Sequence, residues 1–167
     1  MDKEINKIWK ILSLSFPEGE LITKEELLNN YKDKRFNLRK FYNEDEICAF
    51  YMSWDLGSFI YLEYLAVRKE YRSKGFGSLL LKNIKEESSK KIILEAEKLD
   101  NPEAKKRLKF YRKNDFCINQ YDYKQPPLRE SLKSVPMYLI SYPDLLSKKQ
   151  FEEVKKILYR KVYNKYI

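Results

Sequence analysis

The chain has 167 residues, 43% of them apolar and 15% aromatic, which favours a single folded domain over residues 1–167. It contains no histidine, which excludes Ser-His and Cys-His nucleophiles and nearly all zinc chemistry. The net charge of +9 would suit a nucleic-acid partner, but acidic and basic residues are interspersed, which instead favours a solvated basic surface and a polyanionic small ligand.

The cysteines and the hydropathy pattern limit the possible compartments. Cys48 and Cys117 lie in apolar or aromatic surroundings without CxxC spacing, which predicts two buried thiols rather than a disulfide or a metal site. Neither a signal peptide nor an apolar run of membrane length is recognisable. We therefore expect a cytoplasmic protein with no bound metal and no membrane partner.

Apolar periodicity predicts two helices, a meander of three strands, and then alternating helices and strands. A capping box at Thr23 and Glu26 marks the second helix. The fourth strand should run parallel to the third through a right-handed crossover. The predicted helices cover residues 3–15, 24–31, 78–85, 102–114 and 147–166, and the predicted strands cover 35–42, 47–54, 59–67, 92–96, 116–123 and 135–141.

Two further features complete the chain-order prediction. Asn101 or Asp100 should cap the fourth helix at Pro102. The last two strands should form a long hairpin, and its proline-marked loop, Gln125 to Ser134, is the expected acceptor lid or dimer contact. Aromatic residues on the strands should mostly pack, with one or two shaping an acceptor pocket: Tyr51, Trp54, Tyr64, Tyr121 and Tyr123.

The turn after the third strand has the features of an anion site. Arg72 and Lys74 carry full positive charges, and the backbone at Gly75 and Gly77 can approach a phosphate without a Cβ in the way. The following helix adds its dipole and its unpaired amides. Ser78 is predicted to cap that helix and to donate to a phosphate. These residues predict a phosphate-bearing ligand but leave its identity open.

Two motifs together identify a family. The spacing Val67-x4-Arg72-x2-Gly75-x-Gly77 and the segment Phe110 to Phe116 resemble the GCN5-related N-acetyltransferases (GNAT). The resemblance implies an α+β, three-layer fold with a mixed, mostly antiparallel sheet, a central splayed parallel strand pair and flanking helices. We expect the family's first strand to be missing and a C-terminal helix to be added. Asp115 replaces the usual glycine.

The resemblance implies acetyl-coenzyme A as co-substrate. The pyrophosphate would lie on the amides of residues 73–78, and the pantetheine arm would pair like an extra strand with residues 65–67. The family's asparagine contact would fall at Ala104, so Asn101 is expected to replace it. The implied coenzyme-binding residues are Leu65, Ala66, Val67, Arg72, Ser73, Lys74, Gly75, Phe76, Gly77, Ser78 and Asn101.

The same resemblance assigns catalytic roles. Tyr111 would protonate the departing thiolate, and Glu63, a carboxylate within an apolar strand, would accept the proton of the amine directly or through water, or bind a cationic substrate. Glu95 is the alternative base. The implied reaction is direct attack of an amine on the thioester, because neither cysteine has a base partner.

Several alternatives stay open at this point. The acceptor is an amine of an unidentified small molecule or peptide, and the protein is a monomer or a homodimer. The alternative function is a non-catalytic module on the same fold that senses coenzyme A or binds a partner such as nucleic acid. Salt-dependent nucleic-acid binding without turnover would favour that alternative.

Overall fold

The computed structural model describes residues 2–164. Five helices are present in this part of the chain: α1 (Asp2–Ser15), α2 (Lys24–Asn30), α3 (Phe76–Glu87), α4 (Pro102–Lys113) and α5 (Lys148–Lys161). The strands are β1 (Phe36–Asn43), β2 (Glu46–Asp55), β3 (Phe59–Val67), β4 (Lys91–Glu97), β5 (Cys117–Ile118), β6 (Lys124–Gln125) and β7 (Val135–Tyr142). Short 3₁₀ helices cover Glu18–Glu20 and Lys69–Tyr71.

The sheet has the strand order β1-β2-β3-β4-β7-β5, with β6 also paired to β7. It is mostly antiparallel and contains one parallel pair, β3 and β4. The mixed α+β class expected from the family resemblance is therefore confirmed. The chain divides into two compact units: residues 2–55 with 62–89, and residues 56–61 with 90–164.

The first unit is built on a core between its two N-terminal helices and its sheet strands. The apolar stripe of α1 repeats at spacings of three and four, so one face of the helix is buried. The capping box at Thr23 is confirmed, because its hydroxyl accepts from the Glu26 amide at 3.1 Å. The buried core comprises Ile5, Ile8, Leu12, Ile22, Leu27, Ile47, Phe50, Met52, Tyr64 and Ala66.

The three-strand meander follows from strong apolar alternation and short turns. Strand β1 pairs antiparallel with β2, with Phe36 opposite Trp54 and a register shift between Phe41 and Tyr42. Strand β2 is buried along almost its whole length, since only its two terminal residues are exposed. In β3 the residues 62, 64 and 66 are buried, whereas 63, 65 and 67 keep partial exposure.

The second unit is organised around β7. Strands β4, β5 and β6 all pair with it in antiparallel register. Both helices start at side-chain caps, as predicted: Asn101 accepts from the Ala104 amide at 2.8 Å, and Ser147 forms a capping box with Gln150. Helix α5 ends at Lys161, earlier than predicted, and residues 165–166 of that prediction lie outside the described residues.

The predicted strand at 116–123 is confirmed only at Cys117–Ile118, which pairs with β7, and pairing resumes at Lys124–Gln125. The Asn119 amide still donates to the Leu139 carbonyl oxygen, but the buried Asn119 side chain then bonds outside the ladder. Its amide nitrogen donates to the hydroxyl of Ser141 at 2.9 Å, and its oxygen accepts from the Leu146 amide at 2.8 Å. A polar side chain with two such partners ties the strand region to the following loop instead of extending it.

Over residues 2–164, no helix has the length and apolar character needed to cross a membrane. Within the same range, no group of three or more His, Cys, Asp or Glu side chains is arranged to hold a metal ion.

Candidate functional site

The basic turn, defined here as residues 72–78, is fastened to the strand that precedes it. The 3₁₀ helix Lys69–Tyr71 carries the chain away from β3. Arg72 then folds back, so that its Nε donates to the carbonyl oxygen of Val67 at 3.0 Å. This bond satisfies the last carbonyl of the strand and fixes the base of the turn.

Tyr71 organises the charges around this turn, and sequence reasoning missed it. The Arg68 guanidinium and the Lys74 ammonium each lie 5.6 Å from the centre of the Tyr71 ring. The ring also contacts Phe76 edge-on at 5.8 Å. Cations over an aromatic face are favourable. The sequence signal for these contacts is an aromatic residue with a cation three residues to either side.

The geometry of the turn explains its glycine. Gly75 is the N-cap of α3 and has a φ of 86°, a left-handed conformation that side chains rarely adopt. A Cβ added at Gly75 would meet no atom within 4 Å, so the space beside the backbone is open. The prediction that Ser78 caps the helix is wrong: α3 begins at Phe76, and Ser78 lies in its first turn.

The basic turn has the properties that a pyrophosphate requires. Arg72, Ser73, Lys74 and Gly75 are exposed, and the first turn of α3 contains no acidic residue. The first amides of a helix have no intrahelical acceptor and bind anions readily. In the same unit, Leu65 and Val67 of β3 are partly exposed and Ala66 is buried. The residues present therefore fit a coenzyme A pyrophosphate, and the geometry of the turn supports that fit.

Glu63 lies in the first unit on the partly exposed face of β3. Its Oε2 accepts a hydrogen bond from the indole nitrogen of Trp54 at 2.7 Å. The indole is a donor only, so the contact orients the carboxylate through one of its oxygens. The structure thus places Glu63 in the same unit as the basic turn.

Glu95 lies in the second unit within what we call the phenol cluster: Tyr61, Glu95, Tyr123 and Tyr163. All three phenols donate to the carboxylate, Tyr61 at 3.1 Å, Tyr163 at 2.6 Å and Tyr123 through a short contact to Oε1. Desolvation raises the pKa of Glu95 above the usual glutamate range although these bonds oppose the shift. The carboxylate raises the pKa values of Tyr123 and Tyr163 further beyond the effect of burial.

Tyr111 is the other predicted catalytic residue of the second unit. Its side chain is 8% exposed, and desolvation raises the pKa of the phenol to about 12. Its ring packs against Phe110 and Phe116. No hydrogen-bond partner of the phenol oxygen is found among residues 2–164. At neutral pH this phenol is a protonated donor.

Asp115 and Asn101 concern two of the departures from the family pattern. Asp115 has a φ of 68°, so the position needs a left-handed residue, which is why glycine is usual there and aspartate is tolerated. Asn101 uses its Oδ1 to cap α4. Its contact with coenzyme A stays a prediction.

The strand aromatics that are candidates for an acceptor pocket all use their polar tips within the protein, and their role in such a pocket stays a prediction. Each polar tip donates to a protein acceptor, as a packed aromatic with a polar tip usually does. The acceptors are Glu87 for Tyr51, Glu63 for Trp54, the Glu20 carbonyl for Tyr64, the Leu146 carbonyl for Tyr121, and Glu95 for Tyr123.

Comparisons with known proteins point to one family. Residues 38–118 match the family model described as an acetyltransferase (GNAT) domain. A candidate GNAT acetyltransferase from Bacteroides thetaiotaomicron has 31% sequence identity, covers 97% of this chain and 93% of its own, and superposes with a TM-score of 0.85. The PaiA N-acetyltransferase of Thermoplasma acidophilum, solved in complex with coenzyme A, has 15% identity and a TM-score of 0.61, with coverages of 83% and 92%.

A curated relative matches over a shorter stretch. YjbC of Bacillus subtilis (strain 168), a candidate acetyltransferase, is 32% identical over 107 residues. That stretch is 63% of this chain, and the chain spans only about half, 54%, of the relative's length.

Proposed function

The chain belongs to the GNAT family of acetyltransferases, and we propose that it is an acetyl-coenzyme A-dependent N-acetyltransferase that moves an acetyl group directly to an amine of a small molecule or peptide. The observation that carries the proposal is the basic turn. Gly75 has a left-handed conformation at the start of α3, and Arg72 bonds to the Val67 carbonyl. The first amides of α3 therefore lie beside positive charge. That combination favours a phosphate-bearing donor.

The residues of the first unit would bind the donor. The amides of residues 73–78 would hold the pyrophosphate, with Arg72 and Lys74 adding charge. Residues 65–67 would pair with the pantetheine arm along the backbone of β3. Asn101 is the proposed replacement for the family's asparagine contact with coenzyme A. When bound, acetyl-coenzyme A would supply the activated acetyl group as a thioester.

Glu63 is the proposed base, acting on the amine directly or through a water molecule. Its partial exposure and its orienting contact with Trp54 suit a carboxylate that gains a proton during the reaction. Glu95 is a poorer candidate because three phenols already donate to its two oxygens.

Tyr111 is the proposed acid for the departing thiolate. The phenol stays protonated at neutral pH because burial raises its pKa to about 12. A phenol with that pKa can protonate a thiolate during its departure and be restored from solvent afterwards. Burial also raises the pKa of the Cys48 thiol, which argues against an acyl-cysteine route.

The proposal is tested by ligand stabilisation and thiol release. Acetyl-coenzyme A at millimolar concentration should raise the melting temperature, since a ligand specific for the folded state stabilises it. A broad amine panel, read by release of free thiol, should identify acceptors. If the protein shows neither stabilisation nor thiol release with any amine, the proposal fails, and salt-dependent binding of nucleic acid would then favour the non-catalytic alternative.

Replacing Tyr111 with Phe tests the acid. Tyr111→Phe should lower kcat about 100-fold, because a general acid contributes at least that much, while the affinity for coenzyme A changes less than about twofold. The matched control is Tyr138→Phe, on β7 of the same unit, which should leave kcat unchanged. An unaltered kcat in Tyr111→Phe would remove the proposed role.

A further inference from the structure

A tryptophan on the neighbouring strand contacts the proposed base. The indole nitrogen of Trp54, on β2, donates to Oε2 of Glu63, on β3, at 2.7 Å. A hydrogen bond to a carboxylate is stronger than one between neutral groups, so this bond can hold the Glu63 side chain in one orientation. It can do so only if the indole itself is held in place.

The indole of Trp54 is held both by an aromatic ring and by a cation. Trp54 is 8% exposed. Phe36 lies directly opposite it across β1 and β2, and the two rings pack edge to face with their centres 5.1 Å apart. The Arg35 guanidinium lies 6.0 Å from the centre of the Trp54 ring. Aromatic pairs of this geometry and cations over a ring are both favourable, so these contacts favour one orientation of the indole.

Arg35 is in turn held by Asp33. Its backbone amide and its Nε donate to Oδ1 of Asp33 at 2.9 Å and 3.0 Å, and its Nη2 donates to Oδ2 at 2.5 Å. These hydrogen bonds lower the pKa of Asp33 to about 2 and raise the pKa of Arg35. Both groups therefore keep their charge from about pH 4 upwards, and a group that titrates beside Trp54 above that pH is neither of them.

Trp9 shows that packing a tryptophan in this unit does not by itself require a carboxylate. Trp9 lies on α1 and packs against the core of the same unit. Its indole nitrogen is buried, and it has no hydrogen-bond partner within residues 2–164. The fold therefore tolerates an unbonded indole N–H in this core, although such a group costs free energy. The bond from Trp54 is better explained by what it does for Glu63.

We propose that Trp54 is a positioning residue for the reaction, because its N–H holds the Glu63 carboxylate in the orientation that receives the proton of the amine. Phe36 and Arg35 hold the indole in place. An indole donates a proton but does not accept one, so it stays a donor to the carboxylate throughout the transfer. A donor also favours the ionised form of a carboxylate, which keeps Glu63 active as a base at lower pH. This inference rests on the proposed function, since it requires Glu63 to be the base.

The test removes the N–H and keeps an aromatic ring. Trp54→Phe should lower kcat about tenfold, read as free thiol release with the panel amine that reacts fastest, and should leave the KM for acetyl-coenzyme A within about twofold. The acid limb of the kcat profile should move up by about one pH unit, because the ionised carboxylate loses a donor. The matched control Trp9→Phe removes an indole N–H that has no partner in the described residues, and should change neither kcat nor the limb.

A double-mutant cycle shows whether Trp54 acts through Glu63. In the Glu63→Gln background, Trp54→Phe should lower kcat by less than about twofold, because the proton acceptor that it positions is gone. If Trp54→Phe costs the same factor in both backgrounds, or leaves kcat and the acid limb unchanged, the positioning role is overturned and the acetyltransferase proposal stands. If the wild-type protein releases no thiol with any amine, the proposed function fails and this inference fails with it.

Tryptophan fluorescence gives a readout that needs no acceptor. The chain has two tryptophans, so all tryptophan emission of Trp9→Phe comes from Trp54. Protonation of a carboxylate beside an indole changes the charge next to the ring and therefore its emission. A pH titration of Trp9→Phe should show a step that is absent from Trp9→Phe/Glu63→Gln. A step that persists in the double variant, or no step in either protein, overturns the assignment. This titration keeps Trp54 in place, so it tests the assignment even if Trp54→Phe does not fold.

Discussion

The basic turn of the first unit and the phenol cluster of the second treat their polar groups in opposite ways. In the turn, Arg72, Lys74 and the amides near Gly75 are exposed. In the phenol cluster, Tyr61, Tyr123 and Tyr163 all donate to one carboxylate. The first arrangement leaves polar groups available to a ligand, whereas the second satisfies them within the protein.

This difference suggests that the turn serves ligand binding, whereas the phenol cluster serves the stability of the fold. An exposed cation contributes little to stability because water and salt screen it, so its presence near a left-handed glycine is better explained by a ligand. A carboxylate that accepts hydrogen bonds from three phenols stabilises the fold through that network. Removal of one partner leaves the other polar groups without a hydrogen bond, which lowers the free energy of unfolding. Substitutions of the exposed cations in the turn should therefore change binding, and substitutions in the cluster should change stability.

The largest expected effect is in the phenol cluster. Glu95→Ala removes the acceptor of three largely buried phenols and should lower the free energy of unfolding by about 3 kcal/mol, measured by urea denaturation. The control Glu97→Ala, two residues along the same strand, should cost at most about 0.5 kcal/mol. Equal costs for the two variants would show that the cluster does not stabilise the fold.

The next effect is on activity and concerns the first unit. Glu63→Gln should lower kcat/KM about 100-fold, because it removes the proposed general base, and it should change the melting temperature little. Glu95→Gln should keep most of the turnover. If Glu95→Gln is stable but has no turnover while Glu63→Gln stays active, Glu95 is the base instead. The phenol cluster would then serve catalysis as well as stability.

The sequence predicted most of the first unit and the local pattern of its site. The capping box at Thr23, the meander and the Arg72 to Gly77 turn all depend on neighbouring residues, so spacing alone identifies them. It did not predict that Tyr71 contacts two cations, because cations three residues to either side of an aromatic residue are a weak signal in a chain with 34 lysine and arginine residues.

The second unit was less predictable because its decisive contacts join distant parts of the chain. Tyr61 and Tyr163 meet 102 residues apart, at 3.1 Å between their oxygens, and no local pattern announces such a pair. Asn119 likewise replaced a predicted strand with contacts to residues more than 20 positions away. The alternation around Asn119 was strand-like, but a buried amide with two partners overrode it.

The pH dependence of stability provides a further test of the phenol cluster. Burial raises the pKa of Glu95 in the folded state, so the folded protein holds that proton to higher pH than the unfolded chain does. Above about pH 4.3 the unfolded chain releases this proton first. The free energy of unfolding then falls by up to about 1.4 kcal/mol per pH unit, until the pH passes the pKa of Glu95 in the folded state.

The variant Glu95→Gln isolates this contribution. It cannot titrate, so the stability of wild type relative to Glu95→Gln should fall as the pH rises above about 4.3, as measured by urea unfolding at several pH values. A difference that grows in the opposite direction would mean that the three phenols lower the pKa of Glu95 more than burial raises it.

The smallest expected effect lies in the basic turn. Ser73 has a φ of 60°, a conformation that is unfavourable for a residue with a Cβ. Ser73→Gly should raise the free energy of unfolding by about 0.5 kcal/mol, since the relief of strain slightly exceeds the added entropy of the unfolded chain. Its affinity for coenzyme A should stay within about twofold, because the proposed contacts of residue 73 are made by the backbone. A loss of affinity with a gain in stability would instead indicate that the serine hydroxyl binds the phosphate, so that the turn would depend on a side chain in addition to its amides.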